Sequence, residues 1–394
     1  MPEQRSSRGT IFLSFLKLGC TAFGGPVAHL GFFQEEFVRR RKWLQEAEYA
    51  DLVALCQFLP GPASSQVGFA IGLKRGGLAG AFLAWTGFTL PSAVLMIGFA
   101  LGLAALGDIG NAGWISGLKL AAVAVVANAI WNMATKLCPD RKRALMALAG
   151  AAWLVVVDHP LWQVAVIGAG ALAGLVLLRE DAQQSDNPPH ETATGKAWLY
   201  LAAFAVLLLG LPVLREFHPA AWLAVSDAFY RAGSLVFGGG HVVLPLLDAY
   251  TVNPGWVTED TFLAGYGAVQ AVPGPLFTFS AFLGGSLSIG PGGIIGALLA
   301  LVMIYVPSWL LVLGALPYWE RLRTFASARA ALMGTNAAVV GLLVAAFHDP
   351  IWTSSVTDST RLAFALVAFG LLRFTPTPPW LLVLLCGGAG SFLL

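Results

Sequence analysis

The chain has 394 residues, of which 57% are hydrophobic and 11% charged, and its mean hydropathy is +0.74. So apolar a composition excludes an ordinary soluble domain, and a formal net charge of +2 is too small to suggest a nucleic-acid partner. Cys20, Cys56, Cys138 and Cys386 are scattered, with no C-x-x-C and no nearby His; they suggest neither a disulfide framework nor a metal site, and no cofactor signature accompanies them.

The first expected unit is residues 1–178. Arg5, Arg8 and a short apolar stretch imitate a signal peptide, but Lys17 interrupts the stretch, which recurs at residues 229–239. It therefore reads as retained structure. Residues 12–33 are apolar, break at Gly24-Gly25-Pro26 and lead to a basic cluster, Arg39 to Lys42; residues 49–73 break at Pro60-Gly61-Pro62 and lead to Lys74 and Arg75. Cytoplasmic loops are enriched in Lys and Arg, so both clusters belong on one side and the stretch between them enters, breaks and returns. Proline removes a donor there, and glycine lowers the cost of the bend. Two re-entrant hairpins result, tolerable at that depth only where the broken backbone faces protein or a watery cavity. Residues 78–106, 114–136, 145–157 and 161–178 follow as crossings, with the N-terminus cytoplasmic.

Residues 179–197 are a polar linker holding Pro188-Pro189, and 198–214 form a lone apolar helix. The second unit, 215–394, repeats the first. Lys17 pairs with Arg231, Phe23 to Gly25 with Phe237 to Gly239, Trp43 with Trp256, Gln57 with Gln270, and Pro60 to Pro62 with Pro273 to Pro275, all at an offset of 213 to 214 residues. The charge bias swaps between halves. Residues 248–256 and 286–293 carry no Lys or Arg, whereas Arg321 and Arg323 make basic a loop whose first-half equivalent, 106–113, has none. The expected fold is therefore an all-α polytopic membrane protein of two inverted-topology repeats with broken helices. About nine crossings and four hairpins make about thirteen hydrophobic segments.

If the hairpins enter from opposite faces, their tips meet near the midplane, and each begins a half-helix whose N–H groups and positive dipole end point into a cavity. Ala63, Ser64 and Ser65, and likewise Leu276, Phe277 and Thr278, follow the two Pro-Gly-Pro turns, while Gly24, Gly25, Gly238 and Gly239 form the glycine turns. Such a site suits an oxyanion; a metal cation would want carboxylates or thiolates, absent beside either turn. Lys17 and Arg231 are costly in an apolar segment and suggest function, or else snorkel to the interface. Lys119 is a further intramembrane cation, without a charged counterpart, and a candidate for coupling. Gln57 and Gln270, three residues before their turns, either donate to the anion or cap freed carbonyls. His29 and His241 are candidates for proton coupling or simply satisfied residues at a break. Glu35, Glu36 and Asp51 near Arg39 to Arg41 read as surface ion pairs, with a gating role the alternative.

FGGPVAHL, RRRKWL and QFLPGP in the first half, with FGGGHVVLPLL and QAVPGP in the second, resemble the chromate ion transporter family in its long, two-domain form, over nearly the whole chain. The resemblance implies an inner-membrane protein that exports chromate and confers resistance, with sulfate competing because its charge and shape are alike. It also implies that Gly24, Gly25, Pro26, His29, Gln57, Pro60, Gly61 and Pro62 are functional. Gly240 stands where Pro26 would be expected, which counts against a strictly symmetric site. The partners are then an oxyanion and the bilayer, and a homodimer is compatible with the sequence.

Three functions compete. A secondary transporter rocks one repeat against the other around the anion, with sulfate or another oxyanion the alternative substrate; no G-x-x-x-x-G-K-[ST] is present, so ATP is not its direct driver. A passive anion channel could use the same half-helices. A membrane enzyme such as a chromate reductase lacks a paired-His haem site, a Cys cluster and a flavin fingerprint.

Overall fold

A computed structural model describes residues 6–107, 112–157, 160–180, 195–237, 239–319 and 325–394, and every regular element among them is helical. Arg5, Gly238, Arg321, Arg323 and residues 181–194 of the linker, with Pro188-Pro189, lie outside the described residues.

The first half runs α1 (Arg8–Thr21), α2 (Gly25–Phe33) with a π-helical extension Gln34–Arg40, α3 (Glu46–Phe58), α4 (Ala63–Leu106), α5 (Gly113–Leu137), α6 (Arg141–Val156) and α7 (Pro160–Leu177). A connecting helix α8 (Ala197–Phe217) follows. The second half runs α9 (Ala221–Ser234), α10 (Val243–Thr251), α11 (Glu259–Val269), α12 (Phe279–Gly285), α13 (Gly293–Ala315), α14 (Ala326–Ala346), α15 (Ser359–Phe374) and α16 (Pro379–Leu393). Short 3₁₀ turns, Gly240–Val242 and Leu276–Thr278, lead into α10 and α12.

Local chemistry sets these boundaries. Ser7, Asp140, Thr258 and Asp358 each cap a helix by accepting the backbone N–H three residues on. Asp140 and Asp358 occupy equivalent places in the two halves and each also pairs with the arginine three residues later, Arg143 and Arg361. Inside α4 the helix turns back at Gly76 and Gly77, the latter with φ +63°. Its first leg, residues 63–75, then packs against its second, where Gly72 meets the backbone of Gly80 and Ala84. In the second half Gly284 meets Gly296 and Ala300 in the same way.

α1/α2 and α3 with the first leg of α4 begin and end together. The Ser6 N–H donates to Arg75 O, Lys74 pairs with Glu48 at 2.5 Å, and Arg41 and Arg75 both lie over the Trp43 ring. At the base of the second-half hairpins, the Ser288 N–H donates to Trp256 O, and Gly290 lies against Ala221. The two largest buried clusters among the described residues form most of the interior. One gathers α9 to α13 with α5 and α14, and the other gathers α1 to α4 with Leu311, Val312 and Ala315 of α13.

The halves interlock through small residues. α5 crosses α16 where Gly113 and Gly117 meet Cys386 and Gly390, and α14 crosses α7 where Ala330 and Gly334 meet Gly170 and Gly174. Close helix approach of this kind is how helices associate in lipid, where apolar burial drives nothing. Five described helices are long and apolar enough to cross a membrane: α4, α5, α8, α13 and α14. α6, α15 and α16 have 16, 16 and 15 residues and rise about 22–24 Å, short of a core about 30 Å thick. The expectation of about nine crossings thus counts as spans several helices that cover only part of that depth.

The hairpin tips bond to one another across the halves. The Gly61 N–H donates to Val236 O at 2.7 Å, and the Gly274 N–H donates to Ala22 O at 3.0 Å. Gly61 (φ +121°) would drive a Cβ into Ser308 Oγ, and Gly274 (φ +100°) would bring one to 2.9 Å from Ser92 Oγ. Gly77 has open space around it. Gly61→Ala and Gly274→Ala are therefore expected to lower the thermal midpoint in detergent by more than Gly77→Ala, which meets only the backbone strain of about 1–3 kcal/mol. Equal shifts for all three would count against a crowded junction.

Candidate functional site

Both glycine turns open onto one cavity of about 450 Å³, within the range of small-ligand sites. Gly24 and Gly25 bring the N-terminus of α2 to its wall, and Gly239, Gly240 and His241 bring the start of α10. Positive φ at Gly24 (+104°), Gly25 (+79°) and Gly239 (+152°) makes these turns, a geometry side chains resist. Gln270, Gly274 and Leu276 reach the cavity from the second Pro-Gly-Pro tip. The Gln270 Nε2 is buried and has no hydrogen-bond partner among the described residues, so its N–H groups are available to a ligand. His241 Nδ1 lies 2.7 Å from the Tyr266 hydroxyl.

The opposite wall is α5, which contributes Val125, Asn128, Ala129, Asn132, Met133, Lys136 and Leu137. Asn128, Asn132 and Lys136 at i, i+4 and i+8 share one helix face, and Lys136 is exposed at its end. Sequence reasoning missed these three. Their spacing is visible in the sequence, but nothing there says which face of α5 meets the hairpin tips. Past the end of α5, the Arg143 backbone N–H and its guanidinium hold the Asp140 carboxyl below its ordinary range, so it stays charged beside Arg141, Lys142 and Arg143.

The remaining candidates stand elsewhere. Lys17 is exposed on α1, and Gln57 is exposed on α3; neither lines the cavity. Lys119 Nζ pairs with Asp260 Oδ1 at 2.5 Å, tying α5 to α11. His29 is buried between Ala22 O, 3.1 Å from its Nε2, and Ser64 Oγ, 3.4 Å from its Nδ1, with its ring edge-on to Phe88. Since Ala22 O also accepts from Gly274, His29 braces the junction of tips. Pro60 O accepts from Gln66 Nε2 at 2.7 Å, and Pro275 O from the Thr278 hydroxyl at 2.8 Å. Ala63, Ser65, Pro62, Pro273 and Phe277 belong to the two tips but do not line the cavity. Glu36 pairs with Arg40 and Arg41, and Glu35 with Arg39.

One family model, described as chromate transporter, matches residues 9–175 and again 223–391. The chain is 28% identical over 377 residues to a chromate transport protein of Pseudomonas aeruginosa, covering 92% of this chain and 85% of that one. It is 26% identical over 368 residues to a chromate transport protein of Cupriavidus metallidurans, covering 92% and 87%. An uncharacterized transporter of Methanocaldococcus jannaschii is 28% identical over 345 residues, covering 85% and 82%. No solved structure matches the chain.

Arg231, the intramembrane cation paired by repeat with Lys17, has a carboxylate partner. It donates through both Nε and Nη2 to Asp227, one turn earlier on α9, and its guanidinium lies 5.4 Å from the Tyr250 ring centroid. The Asp227 side chain is only 2% exposed, and Arg215 approaches it at 3.6 Å from α8. Removing Arg231 leaves the buried carboxylate with only the more distant Arg215, a loss smaller than the cost of about 3–5 kcal/mol for a wholly uncompensated buried charge. Arg231→Gln is therefore expected to lower the thermal midpoint, and adding Asp227→Asn to restore most of it. A stable Arg231→Gln protein would show that Asp227 does not depend on Arg231.

Proposed function

Because the chain belongs to the chromate transporter family, we propose that it carries chromate across the inner membrane as a secondary transporter, exporting it from the cytoplasm and so conferring resistance. The observation that carries this reading is the cavity where each family-matched half presents its glycine turn. Chromate is a tetrahedral dianion, and charge-assisted hydrogen bonds are the strong ones. Lys136, the amides of Asn128, Asn132 and Gln270, and the N-terminal N–H groups of α2 supply donors on several sides. Sulfate has the same shape and charge and competes. His241, with Tyr266 beside it, is the candidate for proton coupling.

Inverted halves are supported by where the hairpin bases fall. α4's second leg leaves the first-half base just after Gly77. Ala100, about 33 Å further along it, lies 3.0 Å from the Cβ position of Gly285 at the base of the second-half hairpins, and Phe99 stacks on Phe282 at 5.4 Å. The two bases therefore fall at opposite ends of a membrane-spanning helix. The cavity mouth at Lys136 leads to Arg141–Arg143, and basic residues favour the cytoplasmic side, which gives an inward-open, export-ready arrangement with the N-terminus cytoplasmic. Residues 1–178 and 215–394 are then the two repeats, joined by the 179–197 linker and the 198–214 helix.

Reconstitution in liposomes tests this. Saturable chromate flux that responds to pH and voltage gradients, competes with sulfate and falls roughly tenfold or more in Lys136→Gln or Gln270→Ala is expected. Unsaturable, gradient-insensitive flux would indicate a channel. Flux of sulfate alone would change the substrate, and no flux of either would overturn transport.

A further inference from the structure

Buried polar side chains nearly always find partners, and each exception calls for an explanation. Several exceptions gather at one place, on the seam between the halves. α13 presents Tyr305, Ser308 and Trp309, spaced to share one face; α4 presents Trp85 and Thr89 from its second leg and Ser65 from the first turn of its first leg. The hydroxyls of Ser65, Thr89, Tyr305 and Ser308 and the indole N–H groups of Trp85 and Trp309 are shielded from solvent, and none has a hydrogen-bond partner among the described residues. Tyr305, Thr89, Ser308 and Ser65 are 0, 2, 2 and 5% exposed.

These groups form one cluster. The Trp85 ring meets Tyr305 edge-on at 5.5 Å and Trp309 at 4.8 Å. The Tyr305 hydroxyl lies beside Ser65 and Thr89, although none of the three reaches another in hydrogen-bond geometry. Ser308 Oγ faces Gly61. The cavity is one residue away: Leu276 lines it, and Phe277 packs its ring 5.9 Å from Tyr305.

The chemistry of the cluster leans toward donors, since each hydroxyl can turn its O–H to a ligand and the two indoles can only donate. No member carries a charge. The unpartnered acceptor nearby is Gln66 Oε1, whose Nε2 is already committed to Pro60 O. A cation would find hydroxyl oxygens but no carboxylate to balance its charge, and an apolar ligand would leave every donor unpaired. An oxyanion can accept from all of them, and Ser65 stands in the first turn of the helix that starts at Ala63, where backbone N–H groups lack intrahelical partners.

We propose that this cluster is a second oxyanion station, built of neutral donors, through which the dianion passes between α4 and α13 after leaving the glycine-turn cavity. The proposal rests on the chromate-transport reading and names a further site within it. Neutral donors suit a step of passage, because conduction needs binding favourable enough to enter and weak enough to leave.

Equilibrium dialysis of the full-length protein in detergent, with labelled chromate and separately with sulfate, tests it alongside thermal unfolding without ligand. Two classes of bound oxyanion are expected, and Tyr305→Phe and Ser308→Ala should each weaken one of them about tenfold, as loss of one hydrogen bond to a charged acceptor does. The midpoint of the empty protein should stay or rise, since an unpartnered hydroxyl is removed. Thr89→Val reads the same effect if Tyr305→Phe does not fold. Unchanged binding in folded variants overturns the station and leaves the transport reading intact, and a lowered empty-state midpoint with unchanged binding does so by showing the hydroxyls to be structural. Binding of sulfate but not chromate, weakened by the substitutions, keeps the station and overturns the chromate reading. Failure of the unaltered protein to bind either oxyanion overturns both.

Discussion

A chain that reverses inside an apolar medium must still satisfy its backbone, and in this protein each half satisfies the other's. The proline-flanked N–H groups of Gly61 and Gly274 sit in turns where the neighbouring prolines have no N–H to offer. Each finds a carbonyl in the opposite half, Val236 O and Ala22 O. Those carbonyls follow the ends of α9 and α1, just before the glycine turns. The pair of bonds therefore fixes the tips, the turns and the cavity between them in one step. Crowding enforces it: Ser308 and Ser92, equivalent residues following Pro307 and Pro91, close over Gly61 and Gly274 and leave no room for a side chain.

A second interlock surrounds the first. The long helix of each half, α5 or α14, is sheathed by short helices of the other: α16 against α5 and α7 against α14, through facing glycines. The cavity lies between these outer helices and the hairpins, since its lining combines α5, Leu372 and Pro379 with the two glycine turns. Halves so threaded cannot rock past each other as rigid blocks. In the proposed cycle, motion falls more naturally between the hairpin group and the outer group, each of which contains pieces of both repeats.

Much of this was legible in the sequence, because duplication writes every structural requirement twice. The turns at Gly24-Gly25 and Pro60-Gly61-Pro62 and their partners recur because backbone geometry demands them in each half, and the structure uses them at equivalent positions. Recurrence misled where side chains were concerned. Lys17 and Arg231 recur, yet one is exposed and the other is bonded to Asp227. Gln57 and Gln270 recur, but only Gln270 lines the cavity. Conversely, Asn128, Asn132 and Lys136 have no like residues at the matching positions of α14, so a search for symmetric chemistry passes over them. Periodicity marks α5 as a buried helix; which face the hairpins meet is decided by tertiary packing.

The unlike fates of matched residues carry a mechanistic consequence for the transport reading. Gly267 on α11 packs against the Leu118 carbonyl of α5, while its counterpart Ala54 on α3 is exposed. α5 is therefore closed at Leu118 and Lys119 and open from Val125 to Leu137, where the cavity runs along it. The Lys119–Asp260 pair sits on the closed side. A cycle that opened the other end of α5 would have to part these charges and leave Lys119, only 9% exposed, without its carboxylate in a low-dielectric setting. The Asp260 side chain is 45% exposed and would be rehydrated, so the cost of such a separation falls on the buried ammonium of Lys119. An anion arriving between the hairpin tips brings negative charge and hydrogen-bond acceptors to the same helix. Under the proposed function, the ion pair thus holds the empty protein inward-open until bound substrate offsets the cost of breaking it.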